Sequence, residues 1–473
     1  MDASSSSVHS HEADQSTNTS LTDTSANASL QPWELISAHL KFRSDDGQFW
    51  WDTTGRMYAR FLQAAGYGIP DQYRELFFYA TWVIPEMGPA PGLDGKARGS
   101  WQSVWAPGGT PVEFSWDFGQ GGINPMVRFS WEPIGREAGT ALDPLNSFAA
   151  TEWIDRAKQQ GLLPGLETAW YHHFIKHMLP PPDMQRIKTE NVIEATTPVG
   201  GVGIAIDAEP SGRSVCKPLL YPGLRALELG ISNLEMVERT IRALPPKQFA
   251  ALNVEPLFDY LHEATARWGM ETGIVCIDCL KPEESRIKIY VRAPTTSVGW
   301  LVDGITLGGR LDPKATYGEE TVQDLVDLWQ AFFADAPDAV PTDKAPARAS
   351  PGFYFTVGAG KKQASPKMYL SPSYFVRDDQ DVIDRLRTFF ATRRKPVKGA
   401  TAVVDEYEAA LKDIYGPLLK KPGSGTVFYV GAAMTKDGLR VVTYHDPQII
   451  GASREEDVFG SFGMSGAGET VAE

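Results

Sequence analysis

The chain repeats itself on a scale that few folds can accommodate. From about Trp33 onward, pairs of helix-patterned stretches alternate with pairs of short β-patterned runs, five times over. Helical periodicity covers residues 49–65 and 71–83, 146–160 and 166–178, 234–244 and 247–268, 298–307 and 322–333, and 381–391 and 402–415. The candidate hairpins between them pair 112–118 with 126–132, 203–207 with 214–220, 273–278 with 286–292, 353–357 with 367–370, and 426–433 with 439–444. One polar residue from each second strand gives Arg128, Lys217, Lys288, Tyr369 and Tyr444, with spacings of 89, 71, 81 and 75. That period is too long for a solenoid and suits a supersecondary unit copied five times. Ten antiparallel strands hide their edges by closing into a barrel with the helices outside, so the expected class is α+β: one barrel of ten antiparallel strands inside a ring of helices. Such a barrel is wide enough to hold a ligand.

Strand alternation predicts what faces inward. Arg286, Lys288 and Tyr290 share one face of their strand and two isoleucines the other. On the remaining second strands Arg128, Ser130 and Glu132 share a face, Lys217 precedes an apolar run ending at Tyr221, Lys367 pairs with Tyr369, and Arg440, Val442 and Tyr444 align. This pattern has two readings: a solvated face of half-buried strands, or the wall of an enclosed chamber. In the second, the cations make a site for a polyanion such as a diphosphate, because Arg offers a planar fork of donors and Lys a mobile point charge. Glu113, which alternates with the apolar Val112, Phe114 and Trp116, is the carboxylate that stands out. Inside a chamber it could accept a hydrogen bond from a substrate N–H or O–H, and later a proton; outside, it is an ordinary exposed glutamate.

Composition narrows the partners. A formal net charge of -14 over 473 residues argues against nucleic acid or an anionic membrane surface, so an anion site must be a local cluster of cations. Residues 1–30 are rich in Ser, Thr, Asn and Asp and read as a disordered tail; 451–473 read as a flexible C-terminal tail, and 31–450 as the barrel. The start lacks the basic and apolar segments of a signal peptide, and no run approaches the roughly 18 apolar residues of a membrane span. Together with Cys216, Cys276 and Cys279, which provide no disulfide framework, this leads us to expect a soluble, cytoplasmic protein. A homodimer stays open. The Pro- and Ala-rich stretch 336–351 is expected to be a long loop inside the domain.

Several segments resemble the fungal aromatic prenyltransferases of the dimethylallyltryptophan synthase type. They are Asp71-Gln72-Tyr73 through Pro85, Gly88-Pro89, Thr110-Pro111-Val112-Glu113, Gly139-Thr140, Asp143-Pro144-Leu145-Asn146, Arg286-Ile287-Lys288-Ile289-Tyr290 and Thr306-Leu307-Gly308-Gly309, and the resemblance runs from about Trp33 to Pro447. It implies the ααββ barrel of that family and a dimethylallyl transfer to an indole or tryptophan-derived acceptor in secondary metabolism. The prenyl diphosphate and the aromatic acceptor would be bound inside the barrel. It further implies that Arg128, Lys217, Arg286 and Lys288 hold the diphosphate, that Tyr290, Tyr369, Tyr429 and Tyr444 shield the allyl cation, and that Glu113 contacts the acceptor. Two positions depart from the family pattern. Lys217-Pro218-Leu219 lacks the tyrosine of a Lys-x-Tyr unless Tyr221 substitutes, and Lys367 stands where many members have Gln.

No obligatory metal or other cofactor is implied beyond the co-substrate, dimethylallyl diphosphate. Asp378, Asp379 and Asp381 look like a magnesium-binding cluster but directly precede a helix, where aspartates cap free N–H groups. Cys276 and Cys279 are half a zinc site without a second pair. His173 and His177 lack the glutamate of a zinc-protease motif, and Gly358-Ala359-Gly360-Lys361-Lys362 lacks P-loop spacing. Alternatives are a phenolic polyketide or xanthone-like acceptor, a longer prenyl donor, or a non-catalytic barrel that carries a hydrophobic ligand. The last must explain buried cations without an anion, which is costly.

Overall fold

The computed structural model describes residues 31–450 apart from 93–94, 121–123, 182–200, 208–213, 335, 337–349 and 397–398. The expected tails and nearly all of the expected 336–351 loop therefore lie outside the described residues. Ten strands form a closed antiparallel barrel: β1 (Val112–Asp117), β2 (Met126–Trp131), β3 (Gly203–Asp207), β4 (Cys216–Leu220), β5 (Glu271–Ile277), β6 (Arg286–Arg292), β7 (Gly352–Gly358), β8 (Ser365–Leu370), β9 (Val427–Thr435) and β10 (Gly438–His445). Each strand pairs with its neighbours in sequence. The seam is closed by β1 against β10, from Phe114 opposite His445 to Asp117 opposite Val442. The five expected hairpins are all present, most within two residues of the expected bounds.

Closure inverts the usual arrangement of polar and apolar faces. Val112, Phe114 and Trp116 of β1, Ile287 and Ile289 of β6, and Phe353, Phe355 and Val357 of β7 are buried against the surrounding helices. The polar partners that alternate with them face the barrel axis. The hydrophobic core is thus a sleeve between sheet and helices, and Tyr58 stacks on Phe114 there with centroids 5.7 Å apart. Trp153 meets Trp131 edge-on at 5.1 Å and donates its indole N–H to the Trp82 carbonyl at 2.7 Å. Fully burying one such side chain contributes roughly 1.5–3 kcal/mol, so the sleeve supplies the driving force while the bore stays polar.

Two expectations need correction. The helix expected over 247–268 is two helices, Pro246–Leu252 and Glu255–Trp268, separated by Asn253 in the left-handed region (φ 47°). Pro256 cannot sit inside a continuous helix, and Asn tolerates the left-handed turn; its side chain donates to the Lys362 carbonyl at 2.6 Å. Glu132, expected to face inward with Arg128 and Ser130, lies just beyond β2 and is buried outside the bore. It accepts hydrogen bonds from Ser103 at 2.5 Å, Trp101 at 2.9 Å and Asn146 at 3.2 Å, so it ties loops together at one barrel end. Sequence alone also did not anticipate the helices Pro32–His39, Gly223–Leu229 and Pro313–Tyr317.

The seam generates a pH prediction. His445 is fully buried between Phe61 and Tyr407, and burial pushes its pKa down to about 3. Unfolded, it titrates near pH 6.5, so below that value the unfolded chain binds the extra proton. Stability is then present above about pH 6.5 and falls as pH drops toward about 3, by at most ~1.4 kcal/mol per pH unit from this group. Thermal melts of wild type and His445→Phe will show a shallower loss in the variant between about pH 6.5 and 4.5.

Candidate active site

The bore opens into a chamber of about 670 Å³ whose wall includes residues from all ten strands. Its cations are set in place by carboxylates. Asp278, fully buried just after β5, accepts from Arg286 Nε at 2.6 Å and Lys288 Nζ at 2.9 Å. Asp207 at the end of β3 pairs with Lys217 and forms an ion pair with Arg128, 3.0 Å from Nε. Asp117 at the end of β1 accepts from Arg128 Nη2 at 3.0 Å and Arg440 Nε at 2.6 Å. Burial alone would raise the Asp278 carboxyl, but the Lys288 ammonium and the Arg286 guanidinium outweigh it and hold it at about 2. Burial likewise works against the Asp117 carboxylate, and Arg128 and Arg440 overcome it. By formal charge, five cations face three carboxylates in this layer, within a chain of formal charge -14, while burial and the Lys288 charge lower the Lys217 pKa. The layer suits a compact polyanion.

Next to the cations lies an aromatic belt. Tyr290 of β6 and Tyr354 of β7 are opposite each other in register with rings 5.0 Å apart, and Tyr369 of β8 is 5.6 Å from Tyr354. Tyr444 of β10 is 5.6 Å from Tyr369, with hydroxyls 3.1 Å apart, and Tyr429 of β9 lies 6.1 Å from Tyr369. Lys367 donates to the Tyr444 hydroxyl at 3.0 Å. Burial raises the phenol pKa values of Tyr290, Tyr354, Tyr369 and Tyr444, so these rings stay neutral and present their π faces.

Glu113 faces the chamber from the start of β1. The Ser130 hydroxyl, opposite it on β2, donates to Glu113 Oε1 at 2.5 Å and accepts from the Trp105 indole N–H at 3.1 Å. This relay fixes the carboxylate. It depends on Gly203, where a Cβ would lie 1.8 Å from the Trp105 ring. Trp105, Glu113 and Ser130 all line the chamber together with the cations and tyrosines.

Every site residue expected from sequence lines this one chamber: Glu113, Arg128, Lys217, Arg286, Lys288, Tyr290, Tyr369, Tyr429, Tyr444, Lys367, Tyr221 and Arg440. Leu219 lines the wall two residues before Tyr221, which stands beyond the end of β4. Alternation puts Asp117 on the same strand face as Glu113 but gives it no role; sequence reading missed the carboxylates Asp207 and Asp278, and also Tyr354, Arg292 and Trp105. Tyr354 was legible, since it alternates with Phe353 and Phe355 on the first strand of its hairpin. Of the distractors, Asp378 caps the helix Asp379–Thr392 through the Asp381 N–H at 2.9 Å, and Asp379 accepts from Ser424 at 2.6 Å and the Thr426 N–H at 2.8 Å. His173 donates from Nε2 to the Thr240 carbonyl at 2.9 Å. Among the described residues no three His, Cys, Asp or Glu side chains group as metal ligands.

The same barrel occurs in solved structures. A crystal structure of AnaPT from Neosartorya fischeri superposes with a TM-score of 0.75 over 88% of this chain and 98% of that one, at 22% identity, which speaks to fold alone. In sequence, the chain is 29% identical over 415 residues to the 4-O-dimethylallyl-L-tyrosine synthase of Claviceps purpurea, covering 86% of this chain and 89% of that protein. It is 30% identical over 380 residues to the 7-dimethylallyltryptophan synthase of Aspergillus fumigatus, covering 77% and 78%. The family model described as tryptophan dimethylallyltransferase matches residues 46–406. A polyanion site beside an aromatic belt is what the transfer of a prenyl group from its diphosphate requires, and with that match the chain belongs to the tryptophan dimethylallyltransferase family of aromatic prenyltransferases.

Proposed function

We propose that this chain transfers a dimethylallyl group from dimethylallyl diphosphate to an indole acceptor, tryptophan or a tryptophan-derived compound. The observation that carries this reading is the adjacency, in one chamber, of carboxylate-anchored cations, a belt of five tyrosines and the tethered Glu113. Relatives named for dimethylallyl transfer to tryptophan and to tyrosine support the donor. The tyrosine relative also favours a second reading, a phenolic acceptor, because the Glu113 carboxylate accepts a hydrogen bond from a phenol O–H as readily as from an indole N–H.

Arg128, Lys217, Arg286 and Lys288 hold the diphosphate. As the allylic C–O bond breaks, the bonding pair leaves with the diphosphate, and cations already fixed in position stabilise the growing charge without reorganising. The allyl cation is left among the faces of Tyr290, Tyr354, Tyr369, Tyr429 and Tyr444, which attract it and keep water from capturing it as an alcohol. The acceptor ring attacks to form the new bond, and its displaced proton leaves to a base. Glu113 orients the acceptor, and its carboxylate is in place to take that proton. With side-chain cations meeting the diphosphate, transfer proceeds without an obligatory metal. Residues 31–450 form the one catalytic domain. The three cysteines are free thiols, in keeping with a reducing cytoplasm. Among the described residues, no helix is long and apolar enough to cross a membrane.

Incubation with dimethylallyl diphosphate and a panel of indoles and phenols will give a prenylated indole, identified by NMR, at equal rate with EDTA present; a phenol product alone selects the second reading, and product lost with EDTA removes the metal-free mechanism. Replacing dimethylallyl by geranyl diphosphate in the same panel tests donor length at the Leu219 wall. Glu113→Gln will lower kcat by about 100-fold while donor affinity, measured by calorimetry, changes by less than about threefold. Ser130→Ala, which frees the carboxylate from its relay, will lower kcat by about tenfold, the worth of one hydrogen bond to a charged group.

A further inference from the structure

Lys367 differs from the five carboxylate-anchored cations of the chamber in what holds it; a further cation, Arg292, donates to the Tyr429 hydroxyl and lies 5.3 Å from that ring. Arg128, Lys217, Arg286, Lys288 and Arg440 each contact a carboxylate. Among the described residues no carboxylate lies within ion-pairing distance of Lys367; its ammonium donates to the Tyr444 hydroxyl and stands 4.9, 5.4 and 5.6 Å from the ring centroids of Tyr369, Tyr444 and Tyr354. It occupies the aromatic belt itself. The seat is built by a glycine: at Gly431 of β9 a Cβ would fall 2.9 Å from Lys367 Cε and 3.3 Å from Nζ, so the side chain lies flat across that residue.

The lysine side chain in this seat excludes a prenyl group from the rings that a prenyl cation needs. The seat is also weakly held. Burial disfavours the charged amine, Arg128, Arg440 and Lys288 add to that, and Asp117 opposes it. The cation layer is close by. Lys367 of β8 and Arg440 of β10 are both in register with Ala433 on the strand between them, so only a methyl group separates the two side chains on the inner face. The four-carbon stem of a lysine can swing that far.

We propose that Lys367 is a place-holder that makes the chamber selective for prenyl groups carrying a diphosphate: its side chain fills the tyrosine belt until the anion draws it across to the cation layer, vacating the belt. This rests on the reading of the chamber as a prenyl diphosphate site. A neutral prenyl alcohol has no anion with which to move the lysine and is turned away.

Calorimetry on the full chain with inorganic diphosphate and dimethylallyl alcohol tests this. In wild type the alcohol will bind about tenfold more tightly with saturating diphosphate than without, a coupling of ~1.4 kcal/mol. In Lys367→Met it will bind equally well in both conditions, and Gly431→Ala, which pushes the side chain from its seat, will weaken the coupling. Lys367→Gln carries the same expectation as Lys367→Met should the latter fail to fold. The proposal is overturned if wild type shows no coupling, if the Lys367 variants keep it, or if they do not bind the alcohol in the absence of diphosphate. Wild type that binds no diphosphate at all would instead overturn the donor assignment beneath it.

Discussion

The chamber depends on buried carboxylates that hold cations in place. A strand can aim Arg or Lys into a bore, but a long flexible side chain in a narrow low-dielectric space carries a heavy desolvation cost and has no defined position. Asp117, Asp207 and Asp278 remove both difficulties. They divide five cations among them, more cations than carboxylates by formal charge, so the chamber is set for an anion before one arrives. Removing a carboxylate from such a buried set leaves an unpaired charge, typically at a cost of about 3–5 kcal/mol.

The three carboxylates share a topological origin: each stands at or just beyond the C-terminal end of a first strand, β1, β3 or β5, and receives cations from strands beside it. The repeated unit thus places charge pairs at one level of the barrel. One step along the bore the same alternation places tyrosines, and at the start of β1 it places Glu113. The carboxylate-held cations, the tyrosine belt and Glu113 are therefore stacked along one axis, and in the proposed reaction breaking the donor C–O bond would leave negative charge in the first layer and positive charge in the second.

Much of this is legible in the residues. The five hairpins, the barrel and the inward residues follow from alternation, because a strand has only two faces and a closed barrel assigns one of them to the bore. Where the reading failed, a local signal was outvoted or a distant partner was needed. Pro256 announced the break in the 247–268 helix, yet the apolar period ran straight through it. Glu132 has the right parity to face inward, but the sheet ends one residue earlier and Ser103, Trp101 and Asn146 claim it.

The chain by itself determined the repeat, the closed sheet and which residues share a face, because these depend on period and local propensity. Tertiary structure decided which groups meet. That Asp278 holds Lys288 and Arg286, that Arg128 bridges Asp117 and Asp207, and that Lys367 lies across Gly431 among three tyrosines depend on the register of neighbouring strands. Register is fixed by hairpin geometry and by closure of the ring, in which β1 meets β10 across more than three hundred residues of intervening sequence. No local pattern encodes that meeting, since the hydrogen bonds that set it exist only once the whole sheet has closed.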